Sequence, residues 1–181
     1  MSIREFDDGL ARCAWLNNDQ IYIDYHDTEW GQPISGDDAM FERLSLEGFQ
    51  AGLSWLTILK RREGFRSAFN GFRIRDVARF DQADVERLLQ DDRIIRHRGK
   101  IEATIHNARV ANELNGGIEA FVHSFTPAGD RRGLTQSPES LELSKALRKM
   151  GFKFVGPTTM HALMQAIGMV NDHDDRCFRK N

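Results

Sequence analysis

Cys13 and His26 have twelve residues between them, and His173 and Cys177 have three. The chain holds only two cysteines, one near each end, and each is accompanied by a histidine. Two thiolates and two imidazoles make a closed tetrahedral zinc site. With four protein ligands no position stays open for water, so one zinc ion here would be structural and would tie the two ends together. The spacing is not that of a standard zinc finger. Two buried free thiols, or a Cys13–Cys177 disulfide, are the other uses open to the pair.

A second group of residues suits the recognition of a flat ligand. Met40, Leu44, Glu47, Ala51 and Trp55 recur at spacings of four, three, four and four, so they share one helical face. That face should be buried, which makes Glu47 conspicuous: a buried carboxylate needs donors or must take up a proton. The bland alternative is a small rotation that lets Glu47 reach water. The stretch YIDYHDTEW adds Tyr22, Tyr25, His26 and Trp30, and with Trp15 and Trp55 these include every Trp and Tyr in the chain. Bulky rings around a carboxylate suit a heteroaromatic base, sandwiched by stacking and read at its edge. A core cluster with satisfied hydroxyls is the competing reading.

The elements that must position these groups read as helical. The composition is that of a globular protein, with 40% hydrophobic and 29% charged residues. A chain of this length buries roughly 70% of its unfolded surface and needs no disulfide framework. No apolar run reaches the length of a membrane span, and the N-terminus lacks a secretory h-region, so a reducing cytoplasmic setting is expected. The net charge of −2 argues against a protein that coats nucleic acid nonspecifically. Few β-branched alternations and many helix-period stretches predict an all-α protein. A helix is expected from Ser35 as cap, with Asp38 three residues on, then a break near Gly52 and a second helix over 54–69. Two short helices follow, the second capped by Asp81. A strong helix begins near Gly99 and ends at Gly116 and Gly117. Residues 123–140 read as a long loop.

Residues 138–169 read as helix, hairpin, helix. Ser137-Pro138 is an N-cap followed by proline at the first helical position. The helix stops at Gly151, and FKFVGP leads into a second helix with Thr158 or Thr159 near its start. A Val155-Gly156 turn running into a helix aims several N–H groups one way and, with the helix dipole, makes an anion site. Lys145, Lys149 and Lys153 add attraction for phosphates. This reads as a grip on one DNA backbone, which positions without reading sequence. An ordinary αα-hairpin is the alternative.

The segments RCAW, YIDYHDTEWG, LEGFQAGLSWLTILKRRE, IIRHRGKI, SKALRKMGFKFVGPTT and MQAIGMVNDH together resemble the bacterial type I 3-methyladenine DNA glycosylases, a zinc-containing branch of the helix-hairpin-helix glycosylases. The resemblance runs from about Arg12 to Cys177. It implies an all-α, two-lobed fold, with residues 12–181 as one catalytic domain and 1–11 as an extension without assigned function. It implies hydrolysis of the N-glycosidic bond of N3-methyladenine in alkylated double-stranded DNA, with free 3-methyladenine as product and no lyase step. It places the zinc on Cys13, His26, His173 and Cys177. It places base recognition on Glu47, with Trp15, Tyr22, Tyr25 and Trp55 around the base, and makes Glu47 and Tyr25 the candidates for catalysis. Gly52 and Leu53 match the part that fills the gap left by the extruded base. Lys153, Val155, Gly156, Thr158 and Thr159 match the backbone grip. Asp172 receives no catalytic role; orienting the neighbouring His173 is the role considered for it. A monomer is expected, because no helix carries a sustained heptad seam. A helical protein that binds damaged DNA without turnover, and a zinc hydrolase using Glu47 as base, are the competing functions.

Overall fold

The computed structural model describes residues 3–180, whose regular structure is nine α-helices, one short 3-10 helix (Asn70–Phe72) and one small sheet. The expected all-α architecture holds apart from an N-terminal hairpin. In it β1 (Ile3–Glu5) pairs antiparallel with β2 (Ala11–Cys13), with Ile3 opposite Cys13. The helices are α1 (Gln20–Thr28), α2 (Asp37–Gln50), α3 (Trp55–Ala68), α4 (Ile74–Val77), α5 (Gln82–Gln90), α6 (Arg98–Asn112), α7 (Ile118–His123), α8 (Pro138–Lys149) and α9 (Pro157–Ala166). Among the described residues no helix is long and apolar enough to cross a membrane.

Helix α2 is the hub. It packs against α3, α6, α7 and α9, and nine of its fourteen residues are buried. Around it a run of stacked and edge-on phenylalanines joins Phe49, Phe65, Phe69, Phe72 and Phe80. Burial of each such ring contributes roughly 1.5–3 kcal/mol, so most of the fold's driving force lies in these helices.

Local signals set the helix ends. Asp81 caps α5 and Ser137 caps α8, each in a reciprocal box with the residue three positions on. Ser54 caps α3 by accepting from the Thr57 N–H at 3.2 Å. Two expected boundaries move. The cap of α2 is Gly36, not Ser35, and Asp37 and Asp38 are turned outward: their carboxylates accept from the N–H groups of Glu119 and Ile74, pinning α7 and α4. Helix α6 ends at Asn112, and Gly117 instead opens α7, in a left-handed conformation (φ +82°) where a Cβ would collide with the Asp37 carboxylate. Of the expected loop 123–140, residues 124–137 hold no regular element, whereas His123 ends α7 and residues 138–140 open α8.

Ser137 is buried, so Ser137→Ala should lower stability by about 1–2 kcal/mol, and the melting temperature by roughly 2–8 °C. Thermal unfolding followed by circular dichroism checks this. An unchanged midpoint would mean the cap contributes nothing.

Candidate functional site

The two ends of the chain meet. Phe178 donates its N–H to the carbonyl of Ala11 at 2.9 Å, which seats the C-terminal tail on β2. Cys13 at the end of β2, His26 on α1, and His173 and Cys177 after α9 are all buried. Their ligating atoms lie within 4.8 Å of one another. Cys13 Sγ and Cys177 Sγ stand 3.7 and 3.6 Å from His173 Nδ1, and Cys177 Sγ stands 3.5 Å from His26 Nε2. A tetrahedral ion with bonds of ~2.3 Å to sulfur and ~2.0–2.1 Å to nitrogen gives S···N edges of roughly 3.5 Å. The group therefore fits a metal of that kind, and both thiols are free rather than joined.

The electrostatics suit a cation. Burial pushes the Cys13 thiol up to about 12, so without a positive charge it stays neutral. Burial, with His26 alongside, lowers His173 to about 4, leaving the neutral imidazole that ligation requires. The other ring nitrogen of His26 meets Asp27 Oδ1 at 2.7 Å, which fixes the ring's orientation. Arg12 then clamps Asp27 through three contacts of 2.7–3.0 Å and also grips Asp8. Its guanidinium lies between the rings of Phe6 and Phe178, 5.0 and 5.2 Å from their centroids. Residues 3–11 thus reach the metal group through Asp8 and Phe6, a link with no signal in sequence spacing. Asp172 does not orient His173. Its carboxylate accepts from the Gly133 N–H and the Gln165 side chain, and it lines the neighbouring cavity.

That cavity has a volume of about 220 Å³, room for one flat ring system. It brings together Trp15, Tyr22, Tyr25, Glu47 and Trp55, as the sequence suggests, and adds Trp30, Gln50, Ala162, Gln165, Ala166 and Asp172. Helix α1 supplies Tyr22 and Tyr25, three apart on one face. Helix α2 supplies Glu47. Trp55 is not on the α2 stripe: α2 stops at Gln50, and the 51–54 turn redirects the chain so that Trp55 enters at the first residue of α3. Trp15 and Trp30 pack edge to face at 5.0 Å and are also the rings that border His26 and His173. The metal group and the cavity share one aromatic wall.

Glu47 is 4% exposed, and its Oε2 is buried without a partner, as is Nε1 of Trp55. Burial raises the Glu47 carboxyl to about 8, against a weaker opposing pull from Arg43. Arg43 is itself committed, at 2.8 Å, to Glu29, which Arg62 also grips. The Arg43 guanidinium lies 5.6 Å from the centroid of the Tyr25 ring. Burial therefore favours the protonated form of Glu47. A cation entering beside it would draw the proton off.

Between Gln50 and Trp55, which line the cavity, Gly52 (φ +82°) and Leu53, 39% exposed, form the tip of the 51–54 turn. The α8–α9 hairpin has the expected form, with Gly156 as a cap offering no side chain to the first-turn N–H groups and Pro157 at the first helical position. Lys153 and Thr158 are exposed. Val155 is buried, so it can contribute only through its backbone, and its carbonyl accepts from Ser144 Oγ at 2.6 Å.

A family model described as methyladenine glycosylase matches residues 15–180. The chain is 47% identical over 179 residues to DNA-3-methyladenine glycosylase 1 of Escherichia coli (strain K12), covering 93% of this chain and 96% of that protein. It is 43% identical over 178 residues to the DNA-3-methyladenine glycosylase of Haemophilus influenzae, covering 92% and 96%. A crystal structure of a 3-methyladenine DNA glycosylase I variant in complex with 3-methyladenine superposes with a TM-score of 0.87 at 34% identity, over 94% of this chain and 97% of the other. Matched along almost its whole length in sequence and in fold, the chain belongs to the methyladenine glycosylase family.

Proposed function

We propose that this protein excises N3-methyladenine from alkylated duplex DNA by hydrolysing the N-glycosidic bond, leaving an abasic site and releasing the free base. The observation that carries the reading is a buried carboxyl with an unpaired oxygen in an aromatic-walled cavity of single-base size. The relatives are named for this activity, which favours turnover over damage binding alone. Residues 12–181 act as one catalytic domain, as a monomer, in the cytoplasm. Four protein ligands leave no place for water on a metal, so the hydrolase that would use Glu47 as a metal-assisted base has little support.

Methylation at N3 leaves the base cationic and weakens its bond to C1′ of the sugar. Leu53 and Gly52, in the exposed turn between Gln50 and Trp55, fill the gap as the base leaves the stack. The first-turn N–H groups of α9 at Thr158 and Thr159, with Lys153, hold a backbone phosphate of the DNA. The extruded base stacks among Trp15, Tyr22, Tyr25 and Trp55, and its positive charge makes Glu47 give up its proton. The glycosidic bond then breaks with its electron pair moving to the base, which departs neutral. Water adds to C1′ and loses a proton. The reading carries no lyase step: water, not an amine of the protein, adds to C1′.

We further infer that Cys13, His26, His173 and Cys177 hold one structural zinc ion. When bound it supplies charge that keeps both thiols ionised and cross-links the chain's ends; the observation behind this is the match of the S···N distances to a tetrahedral ligand set.

Glu47→Gln should cut single-turnover base release from methylated duplex by roughly 100-fold, the scale of removing one electrostatic group from a dry site. The wild-type kcat/KM, which reports the free protein, should rise with pH until about 8, and the variant's should stay flat. Normal, pH-dependent release by the variant would remove Glu47 from the mechanism. The same carboxyl sets a stability trend. Its native pKa lies above the unfolded one, so the folded state holds the extra proton between pH ~4.5 and about 8, and stability falls as pH rises through that window. Glu47→Gln should lose this slope and melt higher than wild type at pH 8, by calorimetry. Cys177→Ser should abolish stoichiometric zinc, measured by elemental analysis, and lower the melting temperature. Asp27→Asn should weaken zinc binding roughly 10–100-fold in a chelator competition while keeping the fold. Full zinc retention in both variants would rule out the assignment.

A further inference from the structure

Helix α6 contributes nothing to the cavity wall, yet one of its faces holds both of the elements proposed to handle DNA. Lys100, Thr104 and Asn107 lie at spacings of four and three along it, and all three are buried. Lys100 is only 7% exposed, an unusual place for an ammonium group. Its Nζ donates to the carbonyls of Phe49 at 2.8 Å and Ala51 at 2.6 Å. These are end carbonyls of α2, which no later turn of that helix can satisfy, and a cation there also meets the negative end of the helix dipole. The 51–54 turn with Leu53 starts from this anchor, one turn beyond Glu47.

Two turns along the same face, Asn107 accepts from the Lys153 N–H at 2.8 Å and donates to the Lys153 carbonyl at 2.9 Å. His106 Nε2 lies 3.0 Å from the carbonyl of Gly151. The α8–α9 hairpin is therefore bolted to α6 at its entry. It also touches α2: a Cβ added at Gly48 would stand 3.4 Å from that of Phe154, whose own backbone is held in a left-handed conformation (φ +58°). The turn and the hairpin have no segment in common, and α6 bonds to both of them, beside the direct packing of α2 on the hairpin.

We propose that Lys100 and Asn107 are positioning residues that couple the backbone grip to the wedge, so that seating the hairpin on a phosphate places Leu53 for extrusion of the base. The proposal rests on the glycosylase reading above. A lysine that served packing alone would be replaceable by methionine, which fills the same volume without a buried charge. Methionine cannot bond the two carbonyls, so the turn would lose its fixed aim while the cavity kept every lining residue.

The test uses the full chain with zinc, comparing wild type with Lys100→Met. Three quantities are measured: single-turnover release of 3-methyladenine from methylated duplex, affinity for free 3-methyladenine by calorimetry, and affinity for undamaged duplex. The expected result is a fall of at least 10-fold in release, with both affinities within about 3-fold of wild type. Unchanged release, or a parallel loss of free-base affinity, would overturn the positioning role in favour of a structural one or none. No release by folded, zinc-loaded wild type would defeat the glycosylase reading itself, and the proposal with it. If Lys100→Met does not fold, Asn107→Ala, which removes both bonds to Lys153 from the same face, carries the same expectation and can fail in the same ways.

Discussion

A carboxyl group sealed from water with one oxygen unpaired is the constraint around which the rest of this protein is arranged. Desolvation of Glu47 opposes folding, and nothing in its immediate surroundings fully offsets it: Arg43, the one cation whose influence reaches it, is spent largely on Glu29. The compensation is distributed. Helix α2 is buried on most sides and receives α3, α6, α7 and α9, so the helix that carries the unfavourable group is also the one the core cannot release. Function at this position draws on stability generated elsewhere in the fold.

The cavity opposite that carboxyl has the same economy. Its far wall is not hydrophobic core but a pair of indoles backed by two imidazoles of the Cys/His group. Trp30 packs against His173 at 4.5 Å and Trp15 against His26 at 5.5 Å. Behind these stand Asp27, Arg12 and Asp8 in sequence, each bonded to the next. An ordered chain of charge pairs, reaching as far as the N-terminal hairpin, thus stiffens a surface against which a base must stack.

What sequence made legible was local. Helical periodicity, the caps at Asp81 and Ser137 and the glycine-punctuated hairpin depend on residues within a turn or two of one another, and these appear as expected. The four Cys and His residues, Glu47 and the aromatic ring set were also visible, because their chemical types are out of place in ordinary packing. The rest was set over longer distances. Lys100 carries no local signal of its role, and only the fold brings it to carbonyls 51 and 49 residues upstream of it in the chain. Asp172 looked like the partner of His173 because it is adjacent in sequence, whereas the orienting carboxylate is Asp27, bonded to the other histidine. The β1–β2 hairpin carries no alternating pattern strong enough to announce itself, and the cap of α2 shifts by one residue, from Ser35 to Gly36.

The chain contains three tryptophans, Trp15, Trp30 and Trp55, and all three line the one cavity. No indole lies elsewhere to dilute the signal. The protein's near-ultraviolet emission is therefore a report from a single place in the molecule. Any ring that stacks there must quench or shift it, and any change at the histidines behind Trp15 and Trp30 must reach the same chromophores from the other side. Optically, the pocket and the chain-end clasp are one object, and no added label is needed to watch either.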